Sequence, residues 1–235
     1  MKKWLLPSMV CLAVWTGSAH ADVSVSLSGP SSVGEANYPA TGEVFASTEQ
    51  THDADKSPVD QAMSWRWDGE KRREIAQSFR TGDKPVSFDR MTFKTGGAAL
   101  SQMLQNNPKI PFRLTIYRLP GADAMPSHPE AELVSEQVGS FDGFGADFPV
   151  RGGKIQDTAH HYLTFDFDPV KLDPDSYYAV VLSFMRKGGG QAVPLAQNAG
   201  NMEPFADGTG AFLDEEGAWK PCHDFYFYAE SVTGR

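Results

Sequence analysis

The chain has 235 residues, 40% hydrophobic and 22% charged, and a formal net charge of −9. That acidic balance argues against nucleic acid and anionic lipid as partners and suits a well-solvated surface. Only Cys11 and Cys222 are present, which excludes a disulfide scaffold, and the length allows one β-domain or two small ones.

The first residues read "MKKWLLPSMVCLAVWTGSAHA". Lys2 and Lys3 form a basic start, Trp4 to Trp15 an apolar stretch, and Ala19-His20-Ala21 a cleavage site. This order predicts a secretory signal peptide over 1–21, too short to remain as a spanning helix. Cys11 sits inside the apolar stretch with no small-residue box before it, so lipidation is not expected. Cleavage leaves 214 residues and, with two lysines removed, a net charge of −11. Cys222 then has no internal partner and is read as an inert thiol. No membrane insertion is expected after cleavage, because no apolar tail follows Val232.

Next, Val23, Val25 and Leu27 alternate with Asp22, Ser24 and Ser26, which predicts a short strand. Pro30, Gly34 and Pro39 then read as a loose linker, so residues 22–42 are a strand plus linker ahead of a main domain over 43–235. Further strands are expected at Glu43 to Ser47, Ile75 to Phe79, Ser87 to Thr95 and "FRLTIYRL". The polar "TEQTHDADKSPVDQ" reads as an exposed loop. "AALSQMLQNNPKIP" has room for a helical turn or two before Pro108, and "PGADAMPSHPEAE" cannot pair centrally in a sheet.

The strongest strand signals come late. "HYLTFDFD" sets Leu163, Phe165 and Phe167 against Thr164, Asp166 and Asp168. "SYYAVVLSF" is nearly continuous apolar, as a central strand would be. In "DFYFYAESV", Phe225, Phe227 and Ala229 share one face and Tyr226 and Tyr228 the other. Many short strands at roughly ten-residue spacing, punctuated by Gly and Pro, predict an all-β, antiparallel β-sandwich of the jelly-roll kind.

Catalytic motifs are missing: no G-x-S-x-G, H-E-x-x-H, Walker loop or C-x-x-C pair. "HDADKSPVD" fails as an EF-hand because Pro58 stands where glycine is needed. His160 and His161 are adjacent, so a regular strand would point them to opposite faces. Asp166 and Asp168 share a face, roughly 6.6 Å apart along a strand, which leaves a glycosidase-type acid/base pair as a minor alternative. Trp65, Trp67 and Trp219 fall near predicted loops or strand ends, where a ring either stacks on a sugar or plugs the end of a core.

Four segments, "EIAQSFRTG…VSFDRMTFKT", "FRLTIYRLPG", "YLTFDFDPVKLDPDSYYAVVLSF" and "PFADGTGAFLDEEGAWKPCHDFYFYA", together resemble bacterial secreted jelly-roll modules of the galactose-binding-like and choice-of-anchor type. The resemblance covers about residues 74–232, its motifs are structural, and Asp175 stands where the family's turn has glycine. It implies that Asp224 begins the last strand as a ligand of a structural calcium ion, with an early acid such as Glu43. The chain lacks the family's C-terminal anchor, which implies release to the periplasm or the exterior.

The leading expectation is therefore a secreted or periplasmic, non-catalytic module. It would bind a glycan or cell-surface polymer through Trp67, Tyr117 and Trp219. An envelope or matrix protein that contacts another envelope protein is the alternative. A jelly-roll polysaccharide hydrolase or lyase centred on Asp166 and Asp168 comes third.

Overall fold

A computed structural model describes residues 22–29, 38, 40–48, 59–100, 104, 110–141, 144, 147–187, 191–199 and 205–232. The expected signal peptide lies outside the described residues, as does most of the expected helical insert, of which Leu104 is described and buried.

The described residues form strands β1 (Asp22–Ser28), β2 (Glu43–Ser47), β3 (Val59–Asp68), β4 (Lys71–Arg73), β5 (Ile75–Arg80), β6 (Val86–Lys94), β7 (Pro111–Leu119) and β8 (Glu132–Ser140). They continue with β9 (Val150–Arg151), β10 (Lys154–Ile155), β11 (Tyr162–Leu172), β12 (Tyr177–Phe184), β13 (Gln191–Ala199), β14 (Gly210–Leu213), β15 (Trp219–Cys222) and β16 (Phe227–Ser231). Eleven of these make one large sheet in the order β15-β14-β5-β12-β7-β8-β1-β11-β6-β16-β2. A second sheet has the order β13-β3-β4, and β9 with β10 forms a small hairpin.

The large sheet curls so that its two halves meet through aromatic side chains. Phe79 on β5 lies 5.6 Å from Phe88 on β6 and 6.2 Å from Phe227 on β16. Phe112 on β7 lies 5.6 Å from Phe165 on β11. Trp65 comes in from the three-stranded sheet, stacking on Phe184 at 4.1 Å and meeting Phe112 edge-on. These rings are fully or almost fully buried, and each aromatic of this size contributes about 1.5–3 kcal/mol by leaving water.

β1 makes the bend possible. Asp22 and Val23 pair with Val138 and Gly139 of β8 in parallel, and from Ser24 onward β1 pairs antiparallel with β11. Gly139 permits the changeover: a Cβ there would sit 2.5 Å from both the Val23 carbonyl oxygen and the Phe112 ring. The expected all-antiparallel pattern therefore fails at this joint. β1 is an interior strand of the large sheet, between β8 and β11.

Among the strands not expected from the sequence, β3, β8 and β13 are the long ones. β3 begins at Val59, inside the stretch expected to be a loop. β8, "ELVSEQVGS", buries only its second half, so its alternation is weak. β13 contains Pro194, which lacks an N–H; it is tolerated because β13 is the edge of its sheet, and the Pro194 carbonyl accepts from Gly96 N at 2.9 Å. Among the described residues no helix is long and apolar enough to cross a membrane.

Candidate functional site

β7 and β12 lie side by side near the middle of one half of the sheet, and their alternation creates two faces. Phe112, Leu114 and Ile116 on β7, with Val180, Leu182 and Phe184 on β12, are buried in the core. The intervening Arg113, Thr115, Tyr117, Val181 and Ser183 face the other way. On that outer face Thr115, Val181, Ala76 and Ala211 stand in register across four strands, β7, β12, β5 and β14. Of this row, Thr115 and Val181 make a low floor.

Larger groups rise around it. Trp219 on β15 packs with Tyr117 and Met125 against Ala76, Val181 and Ala211. Pro126 and Ser127 come from the β7–β8 loop, and Trp67, Arg72 and Glu74 from β3 and β4 and the residue after β4. Together with Phe184 and Met185 they enclose a cleft of about 440 Å³. The Arg72 guanidinium lies 4.7 Å from the centre of the Trp67 ring and pairs with Glu74. Arg113 lies 3.4 Å from Glu136.

The three aromatic residues expected to contact a ligand, Trp67, Tyr117 and Trp219, thus line one cleft and are each half-buried. Trp65 does not join them: it is a core residue with no exposed surface. Sequence reasoning missed Arg72, Glu74 and Arg113. A signal for Arg113 existed, since it shares the parity that put Thr115 and Tyr117 opposite Leu114 and Ile116. Nothing in "DGEKRREI" pointed Arg72 and Glu74 at the same cleft, because that approach depends on how two sheets meet.

Asp224 and Glu43 are not brought together. Glu43 is exposed at one end of β2, opposite Ser231, whereas Asp224 is buried ahead of β16. Asp224 Oδ1 accepts from Gly210 N at 2.9 Å and from Gln77 Nε2 at 3.3 Å, and Oδ2 accepts from Phe205 N at 2.9 Å. Burial pushes its pKa above the ordinary aspartate range, against the lowering effect of those N–H donors. A calcium ion needs six or more oxygen ligands, and here the carboxylate faces N–H groups, so these residues do not fit one. No group of three or more His, Cys, Asp or Glu converges among the described residues. Close by, burial pushes the Cys222 thiol up to about 12, and the Asp224 charge adds to this.

Asp166 and Asp168 alternate with buried Phe165 and Phe167, as expected, but neither lines the cleft. Asp166 accepts from Arg90 Nε at 2.7 Å, and Asp168 is exposed. His160 takes a left-handed φ of 55° in a turn, and His161 is buried with its Nδ1 2.9 Å from the Ala159 carbonyl.

No family model and no curated protein matches the chain. Among solved structures it is similar to the cysteine protease and lectin-like domains of Cwp84, a surface layer associated protein of Clostridium difficile, with a TM-score of 0.39 and 12% identity. That similarity covers 75% of this chain and 37% of the other.

Proposed function

We propose that this chain is an exported, non-catalytic binding module for a glycan or cell-surface polymer, built as a β-sandwich of the jelly-roll kind, with the cleft as its site. The observation that carries this reading is the convergence of Trp67, Tyr117 and Trp219 on one cleft floored by Thr115 and Val181 and lined also by Arg72, Glu74, Arg113 and Ser183. Sugars offer an apolar ring face edged with hydroxyls. Half-buried aromatic rings beside hydroxyl and guanidinium groups match both parts of that surface. Export with loss of residues 1–21 supplies the compartment where such polymers occur. Binding on a glycan array with the wild-type chain, Trp67→Ala and Trp219→Ala tests the reading. Retention that falls at least tenfold in either variant supports it, and unchanged retention in both removes the cleft as the site.

A second reading, contact with another envelope protein, has its own observation. The bulge between Ile116 and Tyr117 leaves Val134 as an extra residue on β8. Leu133 and Val134 are 59% and 39% exposed there, on a strand whose first half pairs only with β7 among the described strands. Crosslinking to one discrete protein, lost in Leu133→Asp, would favour it.

A further inference from the structure

Each charged residue that lines the cleft faces one of opposite sign. Arg72 pairs with Glu74, and its guanidinium also lies 4.7 Å from the centre of the ring of Trp67, its cross-strand neighbour on β3. Arg113 stands 3.4 Å from Glu136 on β8. The β14–β15 hairpin that carries Trp219 repeats the arrangement, with Lys220 and Asp214 2.6 Å apart. Glu74 is the least exposed of these six side chains, at 11%.

The cleft is therefore charge-balanced, in a chain whose formal net charge is −9. A carboxylate ligand would have to compete with Glu74 or Glu136 for its arginine and to approach against the charge of the whole chain. An ammonium ligand would have to reach a Glu74 carboxylate that is nearly buried and already shared with a guanidinium. A hydroxyl meets neither obstacle. It can accept from a guanidinium or donate to a carboxylate, whose lone pairs one arginine does not exhaust. Two neighbouring hydroxyls of one sugar ring match Arg72 and Glu74 side by side. We infer, resting on the cleft reading above, that the ligand is an uncharged saccharide and that Glu74 sets this preference by neutralising Arg72. One ring hydroxyl accepts from Arg72, its neighbour donates to Glu74, and the apolar face of the ring lies against Trp219.

The test is a matched panel on the full exported chain: galactan against polygalacturonate oligomers, mannan against polymannuronate, and cello-oligosaccharides against glucuronate oligomers. Affinity is read by calorimetry at low and at about 0.5 M salt. In every pair that binds, the neutral member should bind at least as tightly as the acidic one, and salt should change its affinity by less than about twofold. Glu74→Gln frees the charge of Arg72, so it should move the preference toward the acidic member by about tenfold at low salt. The double variant Arg72→Gln/Glu74→Gln should cancel that gain, which a merely structural role for Glu74 would not predict. Melting curves identify misfolded variants. Glu136 is more exposed, at 38%, and Glu136→Gln puts the same question to Arg113, deciding alone if Glu74→Gln does not fold. If an acidic member binds the wild-type chain more tightly than its neutral partner, or if the folded variants leave the preference unchanged, the inference is wrong and the cleft reading stands. If no member of any pair binds, the cleft reading fails and takes the inference with it.

Discussion

Gln77 and Asp224 hold each other across the core although they lie 147 positions apart in the chain. Gln77 donates from Nε2 to Asp224 at 3.3 Å, and its Oε1 accepts from Phe225 N at 2.8 Å. Asp224 in turn accepts from Phe205 N and Gly210 N, at the two ends of the turn that leads into β14. β14 supplies Ala211 to the small cluster against which Trp219 packs, and it pairs with β15, which carries Trp219. A buried carboxylate on the core side thus sets one wall of the cleft on the outer side.

Asp224→Ala should therefore cost about 3 kcal/mol, because it leaves buried N–H donors without an acceptor. Urea unfolding checks this, as a lower midpoint at unchanged slope. The pH dependence has a defined sign. Burial raises the folded-state pKa of Asp224 above its unfolded value. Its contribution to stability is therefore full below the ordinary aspartate range and is lost as pH rises through the raised value. Relative to wild type, Asp224→Asn should gain stability as pH rises from about 4 to 7. A constant difference across that window would refute the assignment. Since Asp224 is satisfied by N–H groups, chelators should leave the wild-type melting curve in place.

Gly210 makes a sharper demand on the same region. A Cβ there would meet the His223 carbonyl oxygen at 2.3 Å and that residue's carbonyl carbon at 2.9 Å. Both are backbone atoms of the adjoining chain, fixed by the β14–β15 pairing and by Asp224. Gly210→Ala is expected to cost about 2–3 kcal/mol, the upper range for overpacking. It should also weaken the glycan binding proposed for the cleft, by shifting β15 and Trp219. Full stability with intact binding would mean that this turn relaxes easily.

The three tryptophans near strand ends should separate cleanly. Trp65 is fully buried and touches Phe112, Phe141, Phe165 and Phe184. Its truncation to Ala should cost about 3–5 kcal/mol. Trp67→Ala and Trp219→Ala remove half-buried rings and should cost no more than about 1.5 kcal/mol. Thermal melts of the three variants rank them directly. An equal loss in all three would make the cleft tryptophans structural plugs.

Much of this could be read from local pattern. Alternation placed β1, β7 and β11 and told their core faces from their outer faces, whereas β2, β5, β6 and β12 were placed as strands without a face. Parity likewise put Phe225, Phe227 and Ala229 in the core. The opposite face of that last stretch, Tyr226 and Tyr228, is buried as well, because Tyr38 stacks on Tyr228 at 4.0 Å. Glu230 fixes the neighbouring segment by accepting from the amides of Thr41 and Gly42 at 3.2 Å each. Such contacts join distant parts of the chain, and no period in the sequence encodes them. The same limit hid Arg72 and Glu74, whose approach to Tyr117 depends on the three-stranded sheet docking beside β12. It also hid the parallel joint at β1, which rests on a close approach at Gly139.

Cys222 offers a last check, on chemistry already expected from sequence. It is a free thiol, half-buried at the end of β15, and burial raises its pKa to about 12. At pH 8 a thiol with that pKa holds on the order of one part in 10⁴ as thiolate, against roughly a quarter for an unperturbed cysteine near 8.5. Reaction with a thiolate-specific disulfide reagent should therefore be on the order of 10³-fold slower in the folded chain than in urea. The linkage runs the same way. Its contribution to stability is complete below about 8.5 and fades as pH climbs toward 12, so Cys222→Ser should flatten the alkaline arm of the stability curve. A folded-state labelling rate equal to the denatured one would show a reactive thiol, and it would reopen nucleophilic chemistry beside Asp224.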